Sequence, residues 1–327
     1  MTSTPGGIAV PVDDPDRRPG RPGRPTAPPR DTAAGRARRR LTSPTASVVA
    51  VLIAVLWTIP TIGLFLNSIR PETDVLTTGW WTIFTNPSFT LSNFEEVLFG
   101  RQDLAGVFVS TFVITIPSVL FPLLFAALAA YALAWMDFPG RDWLFIFVFA
   151  LQIVPLQVAL VPLLRFFNLG EIAGIEVFPG GFGIEDEWTA IRVWFAHTAF
   201  ALPLAIFLLH NFMSELPRSL FEAARVDGAS HARIFRSLVL PLITPALAAF
   251  AIFQFLWVWN DLLVALVFAD PDIAPLTRRI SELAGTRGET DHLLPAGAFI
   301  TILVPLIVFL SLQRYFVRGL LAGGLKG

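Results

Sequence analysis

The sequence has no cysteine and a single lysine, and each shortage excludes a class of chemistry. Without cysteine the chain forms no disulfide, no thiolate metal site and no cysteine nucleophile. Lys326 lies between Leu325 and Gly327, so it cannot complete the glycine-rich loop, ending in Gly-Lys-Ser or Gly-Lys-Thr, that cradles nucleotide phosphates. If ATP drives this protein, we expect another subunit to hydrolyse it.

Charged residues are scarce as well. They make up 15% of the chain, against 54% hydrophobic residues, and the mean hydropathy is +0.64. This composition lies outside that of ordinary soluble domains. We therefore expect an integral membrane protein.

Six apolar runs are long enough to cross a bilayer, since about twenty residues of helix span a hydrocarbon core of ~30 Å. The third run contains Gln152, Pro155, Gln157 and Pro162, which predict a kinked or locally opened helix. We predict an all-α polytopic membrane protein with six transmembrane helices, at about residues 46–66, 105–135, 144–167, 191–212, 242–268 and 296–316.

The distribution of charge predicts the orientation of these helices. Arginines precede the first run and recur in the loop 215–241 and near the end of the chain, whereas the segment 168–188 has acidic residues and no basic one. Because basic loops stay on the cytoplasmic side, we predict a multi-pass protein of the cell (plasma or inner) membrane with both termini in the cytoplasm.

The chain divides into three parts by composition. Residues 1–43 are rich in Pro, Gly and Arg and predict a disordered cytoplasmic tail. Its arginines could bind anionic lipid or nucleic acid, but we favour a role in marking topology and expect no nucleic-acid partner. A six-span transmembrane domain follows over 44–318, and 319–327 form a glycine-rich tail.

The stretch from Glu215 to Pro241 is the longest charged, helix-compatible segment between two apolar runs. Pro217 suits the first turn of a helix, and Gly228 can adopt the positive φ that ends one. Ser230 is a predicted N-cap of the next helix. The first helix places Leu216, Leu220 and Ala224 on one face. A generic amphipathic helix lying on lipid headgroups is the alternative interpretation.

This segment resembles the EAA loop of binding-protein-dependent ABC importer permeases. The resemblance lies in Glu222-Ala223-Ala224, Gly228, Leu238 and Leu240-Pro241, with Leu238 where the family usually has Ile. Asp227-Gly228-Ala229 is similar to the sugar-importer branch. The C-terminal QRYFVRGLLAGGLKG resembles the ending of maltose-type and alpha-glucoside-type permeases, and WNDLLVAL from Trp257 onward also resembles carbohydrate permeases.

The resemblance implies a type I ABC importer permease-like fold and the shorter partner of a two-permease pair. It implies a heterodimer with a second permease, two cytoplasmic ABC ATPases that use ATP and Mg, and an extracytoplasmic sugar-binding protein. This chain itself would bind no cofactor. The ATPase-coupling residues would be Glu222, Ala223, Ala224, Asp227, Gly228, Ala229, Leu238, Leu240 and Pro241.

Catalytic constellations are poor in the sequence, and the four histidines show no metal-ligand spacing. We therefore predict a transport subunit that is not an enzyme and has no catalytic or metal site. Polar side chains within apolar runs indicate a substrate path or interhelical hydrogen bonds, and we leave both interpretations open. These candidates are Gln152, Gln157, Gln254, Asn260 and Asp261.

The segment from Asp270 to Leu294 lies between the last two apolar runs. The resemblance implies that it contacts the solute-binding protein, and the alternative is an exposed connector with a short helix around Leu276 to Leu283. Taken together, the sequence and its resemblances predict a permease subunit of an ATP-driven importer of an oligosaccharide or disaccharide. The C-terminal resemblance alone implies an alpha-glucoside as the substrate. An ion-coupled secondary transporter of a polar solute is the alternative, with Asp261 as its intramembrane carboxylate.

Overall fold

Apolar runs of the sequence form the long helices of the protein. The computed structural model describes residues 44–172, 174–177, 189–284 and 290–324, and the side chains of 171, 189 and 313–324 are outside this description. The predicted tail, residues 1–43, therefore lies outside the described residues. Residues 1–59 and 60–327 form two units. In the first, residues 44–59 are helical, and their large apolar side chains are exposed.

Among the described residues, five helices are long and apolar enough to cross a membrane. They are α1 (Pro44–Ser68), α4 (Leu104–Trp135), α7 (Thr189–Ser214), a continuous stretch His231–Trp259 and α13 (Leu294–Gly324). The stretch His231–Trp259 comprises α9 (His231–Ile234), a π-helical turn (Phe235–Val239) and α10 (Leu240–Trp259). The last helix runs to Gly324, whereas the sequence suggested an end near residue 316.

The third apolar run is broken, as its glutamines and prolines predict. Helix α5 (Arg141–Leu151) and helix α6 (Leu156–Leu169) meet at an angle of 105°. Pro155 precedes α6, where its missing N–H leaves no gap in the helical hydrogen bonds. Counted as one bent span, this pair completes the six spans that the sequence predicts.

Short elements connect the spans. Helix α2 (Glu72–Thr77), a 3₁₀ turn (Trp80–Phe84) and α3 (Ser92–Phe99) lie between α1 and α4. Helix α8 (Arg218–Val226) follows α7, and α11 (Leu263–Phe268), a 3₁₀ turn (Pro271–Ile273) and α12 (Leu276–Ala284) follow α10. Helix α12 is the short helix expected near Leu276 to Leu283. Strands β1 (Glu171–Ile172) and β2 (Ile175–Glu176) pair antiparallel and are a small exception to the predicted all-helical fold.

The most extensive helix contact joins α4 to α7. Small side chains make it possible, because alanines let two helix backbones approach closely. The alanines of FAALAAYALA, which the sequence marks for close packing, are buried here against those of α7 in one apolar cluster: Ala126, Ala127, Ala130, Ala201 and Ala205.

Prolines inside the spans leave carbonyl oxygens without their helical donor, because proline has no N–H to bond the residue four positions earlier. Pro117 frees the carbonyl of Val113, and the indole N–H of Trp194 on α7 donates to it at 2.9 Å. Pro122 frees the carbonyl of Ser118, which accepts a hydrogen bond of 3.3 Å from the amide of Gln254 on α10.

The same arrangement recurs on the last span. Pro305 of α13 frees the carbonyl of Thr301, and the indole N–H of Trp259 on α10 donates to it at 3.1 Å. Since the hydrocarbon region contains no water, each of these three donors satisfies a backbone group that would otherwise remain unpaired. The same bonds fix the register between neighbouring spans.

A double-mutant cycle tests this pairing. We expect Trp194→Phe to lower the free energy of unfolding by about 1 kcal/mol, the upper part of the range for hydrogen bonds inside membranes. In a Pro117→Ala background the loss should nearly vanish, because the introduced alanine supplies the backbone N–H that the carbonyl of Val113 lacks. The measurement is unfolding of the purified protein in detergent.

Pro122→Ala is the matched control, because it restores a donor to Ser118, which Trp194 does not bond. Its cycle with Trp194→Phe should show coupling below about 0.3 kcal/mol, the usual limit of additivity. Equal coupling of Trp194→Phe to both prolines would contradict the assignment of Trp194 to the carbonyl freed by Pro117.

Candidate functional site: the EAA loop

The EAA loop, residues 215–241, forms a helix, a tight turn and a second helix between the spans α7 and α10. Pro217 directly precedes α8, close to the first-turn position expected for it. Helix α8 ends at Val226 with Asp227 as its C-cap, and Ser230 is the N-cap of α9. The predicted helix-turn-helix is therefore present, and its second helix continues without interruption into a membrane span.

Gly228 adopts a φ of +75°, as the sequence predicts. Its N–H bonds the carbonyl of Arg225 at 3.0 Å, and the N–H of Ala229 bonds that of Ala224 at 3.0 Å. These two bonds are those of a Schellman motif, which satisfies carbonyls at a helix C-terminus. A Cβ added to Gly228 would meet nothing within 4 Å, so the backbone conformation alone favours glycine here.

Ser230 is the N-cap that the sequence predicts. Its backbone is extended, with φ −70° and ψ 160°, and its hydroxyl accepts a hydrogen bond of 3.4 Å from the N–H of Arg233. A hydroxyl in this position satisfies one of the N–H groups that have no partner in the first turn of a helix. The cap on one helix and the Schellman motif on the other fix the turn from both sides.

The buried face of α8 differs from the predicted one. Phe221 is 3% exposed, whereas Leu220 is 39% exposed. Leu216 and Ala224 pack against the same apolar cluster as Phe221. The stripe Leu216, Leu220, Ala224 is therefore wrong at its middle position, because the larger Phe221 ring, one residue further on, takes the site facing the spans.

The motif residues divide between an exposed and a packed group. Ala224, Ala229 and Leu238 are half-buried, and Leu238 lies in the π-helical turn. Leu240 and Pro241 are exposed at the start of α10. The exposed group on α8 and its turn offers a carboxylate and small side chains to any approaching surface: Glu222, Ala223, Asp227 and Gly228.

Aromatic residues of α4 hold the loop from the membrane side. The rings of Trp135 and Phe221 stack with centroids 3.5 Å apart and planes 15° apart. Tyr131 and His231 share a hydrogen bond of 3.0 Å between the hydroxyl and Nδ1. Sequence reasoning missed both contacts. The available signal was a pair of aromatic residues one helical turn apart at the end of a span.

A charged cavity of about 580 Å³ lies beside α8. Its wall includes Phe145 and His210 from the neighbouring helices. The charged residues around it carry both signs in equal number and leave no net charge to attract an ion of one sign: Asp137, Asp142, Glu222, Arg141, Arg218 and Arg225.

The predicted substrate-path residues do not form one group. Gln152 and Gln157 are exposed at the break between α5 and α6. Gln152 lines an apolar cavity of about 780 Å³ together with Phe200 and Trp257, and the other four candidates are outside its wall.

Three of these candidates bond the backbone. Gln254 is 2% exposed and donates to Ser118, and the amide of Asn260 donates to the carbonyl of Leu256 at 2.7 Å. A carboxylate oxygen of Asp261 accepts from the N–H groups of Val264 at 2.9 Å and Ala265 at 3.2 Å. Asp261 also lies 3.8 Å from Nε2 of His197. The bond of Gln254 is an interhelical one, the alternative that the sequence left open, whereas Asn260 and Asp261 bond backbone groups three or four residues away.

The aromatic residue Trp259, next to Asn260, is buried as well. Trp259 is fully buried among Phe108, Phe112 and Phe255 and offers no face to a solute.

Across residues 44–172, 174–177, 189–284 and 290–324, no three histidine or acidic side chains come close enough together to hold a metal ion.

Comparison with known proteins identifies a family and a fold. Residues 123–321 match the family model described as binding-protein-dependent transport system inner membrane component. The chain is 50% identical over 285 residues to the osmoprotective compounds uptake permease protein GgtD of Synechocystis sp., covering 85% of this chain and 91% of that protein. It is 53% identical over 250 residues to the alpha-glucoside transport system permease protein AglG of Rhizobium meliloti, covering 76% of this chain and 63% of AglG.

A solved structure has the same fold. It is the crystal structure of a bacterial ABC transporter involved in the import of the acidic polysaccharide alginate, with a TM-score of 0.64 and 20% sequence identity. The match covers 87% of this chain and 98% of the matched chain.

Substitutions on α8 test which face is buried. We expect Phe221→Ala to lower the free energy of unfolding by about 3 kcal/mol, because it removes a buried ring and leaves a cavity. Leu220→Ala is the matched control and should change it by less than about 0.5 kcal/mol, since that side chain is exposed. Thermal unfolding in detergent measures both, and a larger loss from Leu220→Ala would contradict this orientation of α8.

Proposed function

The chain belongs to the family of binding-protein-dependent transport system inner membrane components, and we propose that it is the permease subunit of an ATP-driven sugar importer. The family match confirms the resemblance found in the sequence and favours this function over an ion-coupled secondary transporter. The EAA loop carries the proposal, because it joins two spans and exposes the residues that would meet an ATPase.

The substrate we propose is an oligosaccharide or disaccharide, with an alpha-glucoside as the specific choice. The name of AglG supports this choice through 53% identity over 250 residues. Exposed amides at the break between α5 and α6, which we call the elbow (residues 152–155), suit hydroxyl-rich solutes, because a side-chain amide both donates and accepts hydrogen bonds. Gln152 and Gln157 are therefore the residues that we propose to line the substrate path.

The elbow itself supports this position for the path. Its backbone leaves the helical conformation between Leu151 and Leu156, and Gln152 and Gln157 are exposed beside this break. Lipid-exposed irregular backbone does not occur in the hydrocarbon region, and polar side chains there usually face a cavity or a partner. We infer that the elbow borders a water-filled path or a second permease subunit.

The assembly we propose contains a second permease, two cytoplasmic ATPases and an extracytoplasmic sugar-binding protein. The partner ATPases would use ATP and Mg, since Lys326 stands in no phosphate-binding loop. Both termini would lie in the cytoplasm, on the side of the EAA loop, in agreement with the positions of the arginines. This chain would bind no cofactor and catalyse no reaction by itself.

Alternating access is the mechanism we propose. Closure of the ATPase dimer on ATP would displace the EAA loop. An arginine or lysine of the ATPase would bind the carboxylate of Glu222. Ala223 and Gly228 are exposed and small, so a partner surface can approach the backbone of the loop closely. Because α9 continues into α10, a movement of the loop would tilt this span and its neighbours.

Uptake into proteoliposomes tests this function. The complete complex with its binding protein should import a labelled alpha-glucoside when ATP is enclosed, and an uncoupler should leave import unchanged. Import that continues without ATP but stops with an uncoupler would instead favour the ion-coupled transporter. Import of other solutes but no sugar would contradict the proposed substrate.

The EAA turn offers a sharper test. We expect Gly228→Pro to abolish uptake while leaving membrane insertion intact, because proline cannot adopt the positive φ and lacks the N–H that bonds Arg225. Gly228→Asn is the matched control and should keep most of the uptake, since Asn tolerates the left-handed conformation. Normal transport by the proline variant would contradict a role of the turn in coupling.

A further inference from the structure

We propose that Trp135 and Tyr131 join α4 and the EAA loop into one rigid unit, so that Trp135 is a positioning residue for coupling. The inference rests on the proposed function, because it concerns how a displacement of the loop reaches the spans. We call the two contacts, Trp135 with Phe221 and Tyr131 with His231, the aromatic clasp.

The first half of the clasp holds the helix before the turn. Phe221 is almost completely buried beneath the indole of Trp135, and the stacked rings are nearly parallel. The indole orientation is itself fixed, because its N–H donates to the carbonyl of Met213 at 3.2 Å. The guanidinium of Arg225 also donates to the backbone carbonyl of Trp135 at 3.4 Å. Helix α8, the end of α7 and the end of α4 therefore meet at one side chain.

The second half holds the helix after the turn. Tyr131 bonds His231, the first residue of α9, and its ring contacts Phe235 edge-on with centroids 5.3 Å apart. Tyr131 and Trp135 are four residues apart, so their side chains lie on one face of α4. One face of α4 thus contacts both arms of the turn around Gly228.

Helix α4 connects this clasp to the opposite side of the membrane. Its 32 residues extend over about 48 Å, which exceeds the ~30 Å hydrocarbon core. Near its far end, the hydroxyl of Thr111 accepts a hydrogen bond of 3.0 Å from the N–H of Leu276 at the start of α12. Leu104 packs in one buried cluster with Leu276 and Leu283.

The prolines do not leave α4 free to bend between these ends. The carbonyls freed by Pro117 and Pro122 are bonded to Trp194 on α7 and Gln254 on α10. A displacement of the EAA loop would therefore move α4 as a whole and reach α12 on the other side. Without the clasp, the loop could move while α4 stays behind.

A cysteine pair tests the clasp directly, because the chain has no cysteine of its own. In the complete complex in proteoliposomes, Trp135→Cys with Phe221→Cys removes both rings. We expect import per ATP hydrolysed to fall about tenfold, the upper range for losing an aromatic pair. A short bifunctional thiol reagent that joins the two cysteines should restore most of the ratio.

Each single-cysteine variant treated with the same reagent is the matched control and should show no restoration. A wild-type ratio of import to ATP hydrolysed in the unlinked pair would overturn the proposal, because the contact would then be dispensable. A link that blocks import would also overturn it, because the contact would then have to open during transport. The amount of assembled complex is measured in parallel, so that a loss of assembly is recognised.

Tyr131→Phe gives a second test that leaves the packing intact. It removes the hydroxyl that bonds His231, and we expect import per ATP to fall about threefold, the effect of one hydrogen bond, with unchanged assembly. An unchanged ratio would overturn the second half of the clasp. If wild-type import needs no ATP, the proposed function fails; if it needs ATP and the variants match wild type, the clasp alone fails.

Discussion

A carbonyl oxygen freed by proline inside a membrane span needs another donor, since the hydrocarbon region offers no water. The spans of this protein contain many prolines, and three of the freed carbonyls accept hydrogen bonds from side chains of neighbouring spans. Two of these donors, Gln254 and Trp259, lie on α10, and the third, Trp194, lies on α7. Each bond fixes the position of one helix along the axis of its neighbour. The prolines that interrupt the helical hydrogen bonds therefore also determine how the helices pack.

This constraint gives α4 its central position. It packs along α7 through alanines and is bonded at both of its prolines, and its two ends carry the aromatic clasp and the contact with α12. The EAA loop, in contrast, exposes Glu222, Ala223, Asp227 and Gly228. An exposed turn backed by a fixed helix is an arrangement suited to transmitting a displacement. The proposed function requires such a transmission, because the ATPases that would supply the energy are separate subunits from the spans.

Local chemistry made part of this structure predictable from the sequence. The apolar runs predicted six spans, Gly228 and Ser230 predicted the turn and the cap, and the glutamines and prolines near Pro155 predicted the break. Each of these depends on residues within a few positions of one another. The choice of Glu222, Ala223, Asp227 and Gly228 as coupling residues came from the resemblance, and that motif is also a local pattern in the sequence.

Long-range contacts explain what the sequence did not predict. Periodicity alone could not choose between Leu220 and Phe221 for the buried face, because the choice depends on Trp135, far away in sequence. Gln254 was open to interpretation as a substrate contact because its partner, the carbonyl of Ser118, is known only once α4 and α10 are packed. The sequence shows the prolines that free carbonyl groups and the amide and indole groups that could donate to them. It does not show which donor bonds which carbonyl.

Structures of the assembled complex without nucleotide and with ATP bound would test the central claim most directly. The measured quantity is the separation of the Trp135 and Phe221 rings in the two states. We predict that the EAA loop moves with the ATPase while the rings keep the 3.5 Å stacking seen here. Rings that separate between the two states, or an EAA loop that contacts no ATPase, would contradict the account.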